Sequence, residues 1–274
     1  VVNSYDIFLR CSQNYIGLSK IIVIMAVFEA IFYILGAYFW SINGLLIGVV
    51  ASSLFKLLLS IFIGYYNGII IKFDFSFKQI KKLLSYGFPL RLIDYPMQYM
   101  VMLDLIWITK FMDLSSLAIY TTAQIFFKQS GQISNSIGSV FETRIIQHFG
   151  KYNSWTKIGH LIKNYMFLQL LVFVPILICV CANFIPLTIR QLLPKYSDSI
   201  EPIIYLLLAN FFIVINSGLT IRWFIKKKLK SRGISNVIGL TVMLASLSFF
   251  WFYLEIKTLS SVAFSVTLAY LFYF

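Results

Sequence analysis

Apolar residues fall into eight long blocks along this chain, 21–40, 42–66, 86–109, 117–141, 164–182, 203–221, 234–254 and 258–274, divided by short polar stretches. Each block is close to the ~20 residues that an α-helix needs to cross roughly 30 Å of hydrocarbon. Short alternating segments of the barrel type are missing, so helices, which satisfy their own backbone hydrogen bonds, are the predicted spanning elements. Two connections are longer than turns. Segment 67–85 mixes apolar residues with Lys72, Lys78, Lys81 and Lys82 and predicts an amphipathic cytoplasmic linker. It separates 1–66, read as two spans ending a first helical bundle, from 86–274, read as a second bundle of six spans. Segment 183–201 holds Pro186 and Pro194 around 187–193 and predicts a short surface helix, with Pro202 in the first turn of the next span.

Charge then orients the spans. Lys and Arg number 17 in 1–20, 67–91, 144–163 and 222–232, against 4 in the intervening loops. Retained cytoplasmic loops carry this excess, so the N-terminal segment is predicted to be cytoplasmic. Composition agrees: 12% of the residues are charged, mean hydropathy is +0.84, and a soluble domain carries about a quarter charged residues. The net charge of +13 is thereby explained by loops at a membrane surface, and nucleic acid is not an expected partner. Seventeen tyrosines and five tryptophans suit interfacial belts. The chain starts Val1-Val2-Asn3 and stops within an apolar run, which reads as a piece cut from a longer protein.

Ionisable residues inside spans each cost roughly 2.5–3.5 kcal/mol on insertion scales and need a partner or water. Glu29, Lys56, Asp104 and Lys128 qualify, while Asp94 and Glu142 lie nearer span ends. Block 117–141 is the most informative. Thr121, Lys128, Asn135 and Glu142 recur every seven residues, and Gln124, Gly131 and Gly138 form a second row three positions on. Together they read as one polar stripe that lipid would not cover. Block 42–66 has a shorter version in Ser53, Lys56, Ser60 and Gly64. Lys56 either pairs with Glu29 on the preceding span or, with Lys128, lends positive charge to an aqueous cavity suited to an anion such as a diphosphate. Asp104 is expected to take an interhelical partner, so Glu29 and Asp104 are the structural ion-pair candidates. No nucleophile elbow, Gly-rich phosphate loop or metal-spaced His/Cys cluster occurs, and no enzyme activity, metal or cofactor is expected. Cys11, Cys179 and Cys181 read as packing residues.

The order of several short motifs resembles a known family. Leu84-Ser85-Tyr86-Gly87-Phe88-Pro89-Leu90 is similar to the start of the second bundle in Wzx-type oligosaccharide flippases. These belong to the multidrug/oligosaccharidyl-lipid/polysaccharide exporter superfamily. Asp104 stands where the family has an Asp often followed by Arg, replaced here by Leu105. Leu117-Ala118-Ile119-Tyr120-Thr121 is similar to the opening of the next span, and Leu193-Pro194-Lys195-Tyr196-Ser197 to an outer segment. The resemblance implies an all-α, two-bundle transporter fold of the MATE type, with about four earlier spans absent. It implies a flippase of a bacterial inner membrane that moves a polyprenyl-diphosphate-linked oligosaccharide outward for surface polysaccharide synthesis. Lys128 and Lys56 would then meet the diphosphate, and Gln124, Gln132 and Asn135 the sugar. Membrane lipids, the polysaccharide polymerase and the chain-length machinery are the implied partners. Two other functions fit such a chain less well: a cation-coupled multidrug antiporter of the same superfamily, and a membrane-embedded glycosyltransferase or polymerase.

Overall fold

The computed structural model describes residues 15–66, 76–152, 155–179, 184–226 and 228–273. Its elements are helical throughout, and no strand occurs among the described residues. The chain divides into two compact units, Val1–Ser76 and Phe77–Phe274. Of the predicted linker, 67–75 lies outside the described residues, as do Cys11 and Cys181. The remainder of the linker, from Phe77, is already helical and continuous with the span after it.

Among its described residues the first unit is one bent element, α1 (Tyr15–Tyr66), broken at Trp40 and at Ser41, whose φ of 52° and ψ of −131° leave the helical region. Glycines set how closely its two arms approach. A Cβ at Gly36 or at Gly44 would collide with the other residue's carbonyl oxygen, and one at Gly48 would lie 2.7 Å from the Phe32 carbonyl oxygen. The arms 15–39 and 42–66 therefore run back along each other with their backbones almost touching, the close approach that small residues permit. Phe28 stacks on Phe55 with ring centroids 4.3 Å apart, and Ile21 and Met25 pack against Phe55, Leu59 and Ile63. Most other side chains of the hairpin are apolar and exposed, Ile34, Leu46, Leu58 and Phe62 among them. Such a surface belongs in hydrocarbon or against other helices.

The second unit is a bundle of α2 (Phe77–Phe111), α3 (Leu114–Tyr152), α4 (Trp155–Cys179), the short α5 (Ile185–Leu192), α6 (Ile200–Ile225), α7 (Leu229–Ser248) and α8 (Leu259–Phe272). Helix α6 is its centre, with α3, α4 and α8 against it, while α2 packs on α7 and α7 on α8. Met100, Ile108, Tyr120, Ile203, Met243 and Tyr270 belong to the main core. A second core forms where Ile145, Ile158, Tyr165 and Ile221 meet at the ends of α3, α4 and α6 that carry the basic loops. The predicted surface helix appears as α5, followed by a 3₁₀ turn, Pro194–Ser199. Pro202 sits in the first turn of α6, where its missing N–H breaks no helical bond.

Four stretches, Ser19–Ile63, Ile158–Pro175, Pro194–Trp223 and Lys230–Tyr253, are long and apolar enough to cross a membrane. Helices α2 and α3 are longer than most of these but interrupted by polar residues, and α8 has 14 residues. The chain is therefore an all-α membrane protein. At the Lys/Arg-poor ends of α2 and α7, Trp107 and Phe111 meet Trp251 and Phe252 at centroid distances of 5.7 to 6.3 Å, with the Lys257 ammonium 5.9 Å from the Trp251 ring. This aromatic collar next to a Lys is what an interfacial position favours.

Candidate functional site

Helix α3 separates the two rows that the sequence merges into one stripe. Three positions at 100° each leave two rows 60° apart around the axis, and that angle is enough to put one inside the bundle and the other outside. Gln124 and Gly138 are buried and Gly131 is half-buried, whereas Thr121, Lys128, Asn135 and Glu142 are exposed, together with Gln132.

The inner row is a packing face. Asp104 on α2 is 2% exposed. Its carboxylate accepts a hydrogen bond from the Tyr120 hydroxyl at 2.8 Å and from the Gln124 amide at 2.6 Å. The backbone N–H of Leu105 donates to its other oxygen at 2.8 Å. The ion pair expected at Asp104 is replaced, among the described residues, by these neutral donors. They work because hydrogen bonds to a charged group contribute about 1.5–3 kcal/mol each, which offsets much of the cost of burial. Gln124 is committed to that carboxylate and does not reach the exposed face with Lys128.

One turn on, Asn210 of α6 donates to the Phe127 carbonyl oxygen and to the Ser130 hydroxyl, both at 2.6 Å. A Cβ on Gly131 would stand 3.4 Å from the same amide. Further along, Gln169 of α4 donates to the Ser134 carbonyl and hydroxyl oxygens at 3.0 and 3.1 Å, and it accepts from Ser217 of α6 at 2.7 Å. A Cβ on Gly138 would lie 3.1 Å from the Tyr165 hydroxyl. A ladder of buried amides thus ties α3 to α2, α4 and α6. Buried amides need such partners, since an unpaired one in an apolar medium costs several kcal/mol.

The exposed face has none of this in its middle. Lys128, Gln132 and Asn135 have no side-chain hydrogen bond or ion pair among the described residues. Lys128 is 14 residues from the start of α3, about 21 Å along the axis at 1.5 Å per residue. It sits well inside this 39-residue helix and not at either end. Around these residues the exposed face continues as Gln129 and Ser136, with Ile125 as an apolar interruption. A face of this polarity cannot be solvated by acyl chains. It offers a point positive charge, and amides and hydroxyls that both donate and accept, the complement of a ligand with an anionic group beside many hydroxyls.

Lys56 and Glu29 belong to the other unit. Both are half-buried on opposite arms of α1. Counted from Ser41 they lie about 22 and 18 Å along their arms, so the hairpin brings them to within about one helical turn in depth. Asp94, read from sequence as lying near a span end, pairs with Arg232 of α7 at 2.9 Å, the two side chains being 30% and 13% exposed. Beside it, Asn236 donates to the Ile93 carbonyl oxygen at 2.5 Å. No group of His, Cys, Asp and Glu among the described residues could hold a metal ion.

Counting charges along the sequence passes over neutral amides. Asn210 and Gln169 sit within apolar runs, and that position is the signal that points to them; Asn236, at the start of its run, carries no such signal. No curated protein matches the chain. The family described as polysaccharide biosynthesis protein matches residues 5–201, well over half the length. With its apolar helices and its polar-faced α3, the chain belongs to the polysaccharide biosynthesis protein family.

Proposed function

We propose that this membrane protein serves polysaccharide synthesis as a flippase, carrying a polyprenyl-diphosphate-linked oligosaccharide across a bacterial inner membrane to its outer leaflet. The observation that carries the reading is the outer row of α3: Lys128, Gln132 and Asn135 are exposed well inside a 39-residue helix and make no side-chain bond among the described residues. In this reading the row lines an aqueous path. Lys128 meets the diphosphate as a charge that swings on a flexible stem. Gln132 and Asn135 exchange hydrogen bonds with sugar hydroxyls, and the polyprenyl tail stays in lipid. Lys56, in the first unit, is the second candidate cation.

The fold that goes with this function is a MATE-like exporter with eight spans in this chain, namely the two arms of α1 together with α2, α3, α4, α6, α7 and α8. The Lys/Arg excess orients it with the N-terminal segment in the cytoplasm. No bond of the substrate is made or broken, and the protein acts as a transporter rather than as an enzyme. The polysaccharide polymerase and the chain-length machinery receive its product.

The test is export of surface glycan by the protein in its native membrane. Lys128→Ala is expected to abolish export at unchanged protein level, and Lys128→Arg to retain part of it. Full export by Lys128→Ala at normal level contradicts the assignment of the path. Orientation has its own check: cysteines at Ser154 and Ser231 are expected to be shielded from an impermeant thiol reagent in intact cells, and one at Ser197 to label.

A further inference from the structure

Away from the polar row, α4 and α6 part to leave a groove of about 620 Å³. The two helices run antiparallel, and the end of each that adjoins a basic loop lies at the same end of the groove. Lys163 of α4 with Arg222 and Lys226 of α6 put the groove's cations toward that end, where Gly159 and Ile162 complete the wall. Met166, Phe167 and Leu170 continue the wall at helical spacing, reaching about 10 Å further from Lys163 to Leu170. Gly218 forms part of the opposite wall, where Met166 already packs so closely that a Cβ would strike its sulfur. The groove is cationic at one end and apolar along the rest, and α4 exposes Lys163 and Phe167 side by side on its outer face.

We infer that this groove is a binding site for an anionic phospholipid of the leaflet that adjoins the Lys/Arg-rich loops. The phosphate is held by Lys163 and Arg222, with Lys226 at the rim, and one acyl chain lies along Met166, Phe167 and Leu170. The charge order decides the occupant. Basic pockets between spanning helices on the cytoplasmic side select phosphate headgroups. A free anion would gain nothing from the apolar wall, and a zwitterionic lipid would bring its own cation to three cations. The site lies between α4 and α6, makes no use of Lys128, and stands or falls apart from the transport reading. Its bound lipid would brace α4 against α6 where the Ile158, Tyr165 and Ile221 core closes.

The experiment is lipid retention by the whole protein, purified in detergent, stripped, and offered phosphatidylglycerol, phosphatidylethanolamine or polyprenyl diphosphate before native mass spectrometry. Phosphatidylglycerol is expected to be retained in preference to phosphatidylethanolamine. The double variant Lys163→Gln/Arg222→Gln is expected to lose at least about tenfold of that retention, in line with the attraction of each cation for an anionic lipid. Lys195→Gln, remote from the groove, should change nothing. Excess sodium pyrophosphate should fail to displace the lipid, because it lacks the chain. If the double variant does not purify, Leu170→Trp, which fills the groove and leaves its charges, takes its place with the same expected loss. Equal retention by the wild type and either variant, or no preference for the anionic headgroup, overturns the inference. Preference for polyprenyl diphosphate over phosphatidylglycerol overturns it as well, by making the groove a substrate site.

Discussion

The two polar rows of α3 share one helix and one stretch of it, and they have opposite fates. Gln124, Gly131 and Gly138 turn into the bundle, where Asp104, Asn210, Tyr165 and Gln169 meet them. Thr121, Lys128, Asn135 and Glu142, 60° away, turn out of it. Each buried polar side chain of the inner ladder has a named partner that holds helices in place. At Lys128 and Asn135, in the middle of the outer row, the polarity makes no side-chain bond among the described residues, and in hydrocarbon it would be a cost. Polarity within a span therefore has two separate meanings here, attachment on one side and solvation on the other. Only the neighbours distinguish them.

The comparison breaks first on stability. Gln124→Leu removes a donor from a buried carboxylate and should destabilise the protein by about 1.5–3 kcal/mol. Lys128→Ala and Asn135→Ala should shift stability by no more than about 0.5 kcal/mol, as surface changes do. Thermal unfolding of the detergent-solubilised protein makes the measurement, and equal losses from the two rows would erase the distinction. A smaller effect sharpens it. Gln169→Leu cuts three hydrogen bonds joining α3, α4 and α6 and should cost about 1–2 kcal/mol, since such bonds within membranes are individually modest. The rim pair is weaker again. Breaking Asp94–Arg232 with Arg232→Ala should cost about 1 kcal/mol, and the double variant with Asp94→Ala should recover part of it.

The smallest effect lies at the start of α3. There the Asp113 carboxylate accepts the Ser116 N–H at 3.2 Å, and the Ser116 hydroxyl and N–H hold its pKa below the ordinary value of 3.8. A lowered folded-state pKa stabilises above 3.8, and that contribution is lost as pH falls through the depressed value. Amide exchange at Ser116 should therefore quicken only in acid, and Asp113→Asn should remove that dependence.

Much of this architecture is legible in the chain. The break at Ser41, the short helix before Pro194 and the start of α8 near Thr258 follow from apolar block length and turn residues. The need of Asp104 for an interhelical partner is legible too, because a carboxylate at that depth demands one. Which partner it takes cannot be read, because Tyr120 and Gln124 are neutral and charge counting ignores them. The merging of the two rows of α3 has a similar cause. Periodicity fixes the angle between rows, but where the packing boundary falls within 60° depends on α6 and α4, whose contacts are not local. Helix α2 also begins earlier than its apolar block, at Phe77, because Lys78, Lys81 and Lys82 are good helix formers even where hydropathy fades.

The most direct test of the outer row is substituted-cysteine labelling, with Cys11, Cys179 and Cys181 first changed to Ser. A small maleimide that reacts only in water should label Lys128→Cys, Gln132→Cys and Asn135→Cys quickly in membranes. It should leave Gly131→Cys and Gly138→Cys, on the packed row, and Leu244→Cys, on the apolar outer face of α7, largely unreacted. An outer row as slow as Leu244→Cys would mean that lipid covers it, and the aqueous path along α3 would have to be abandoned.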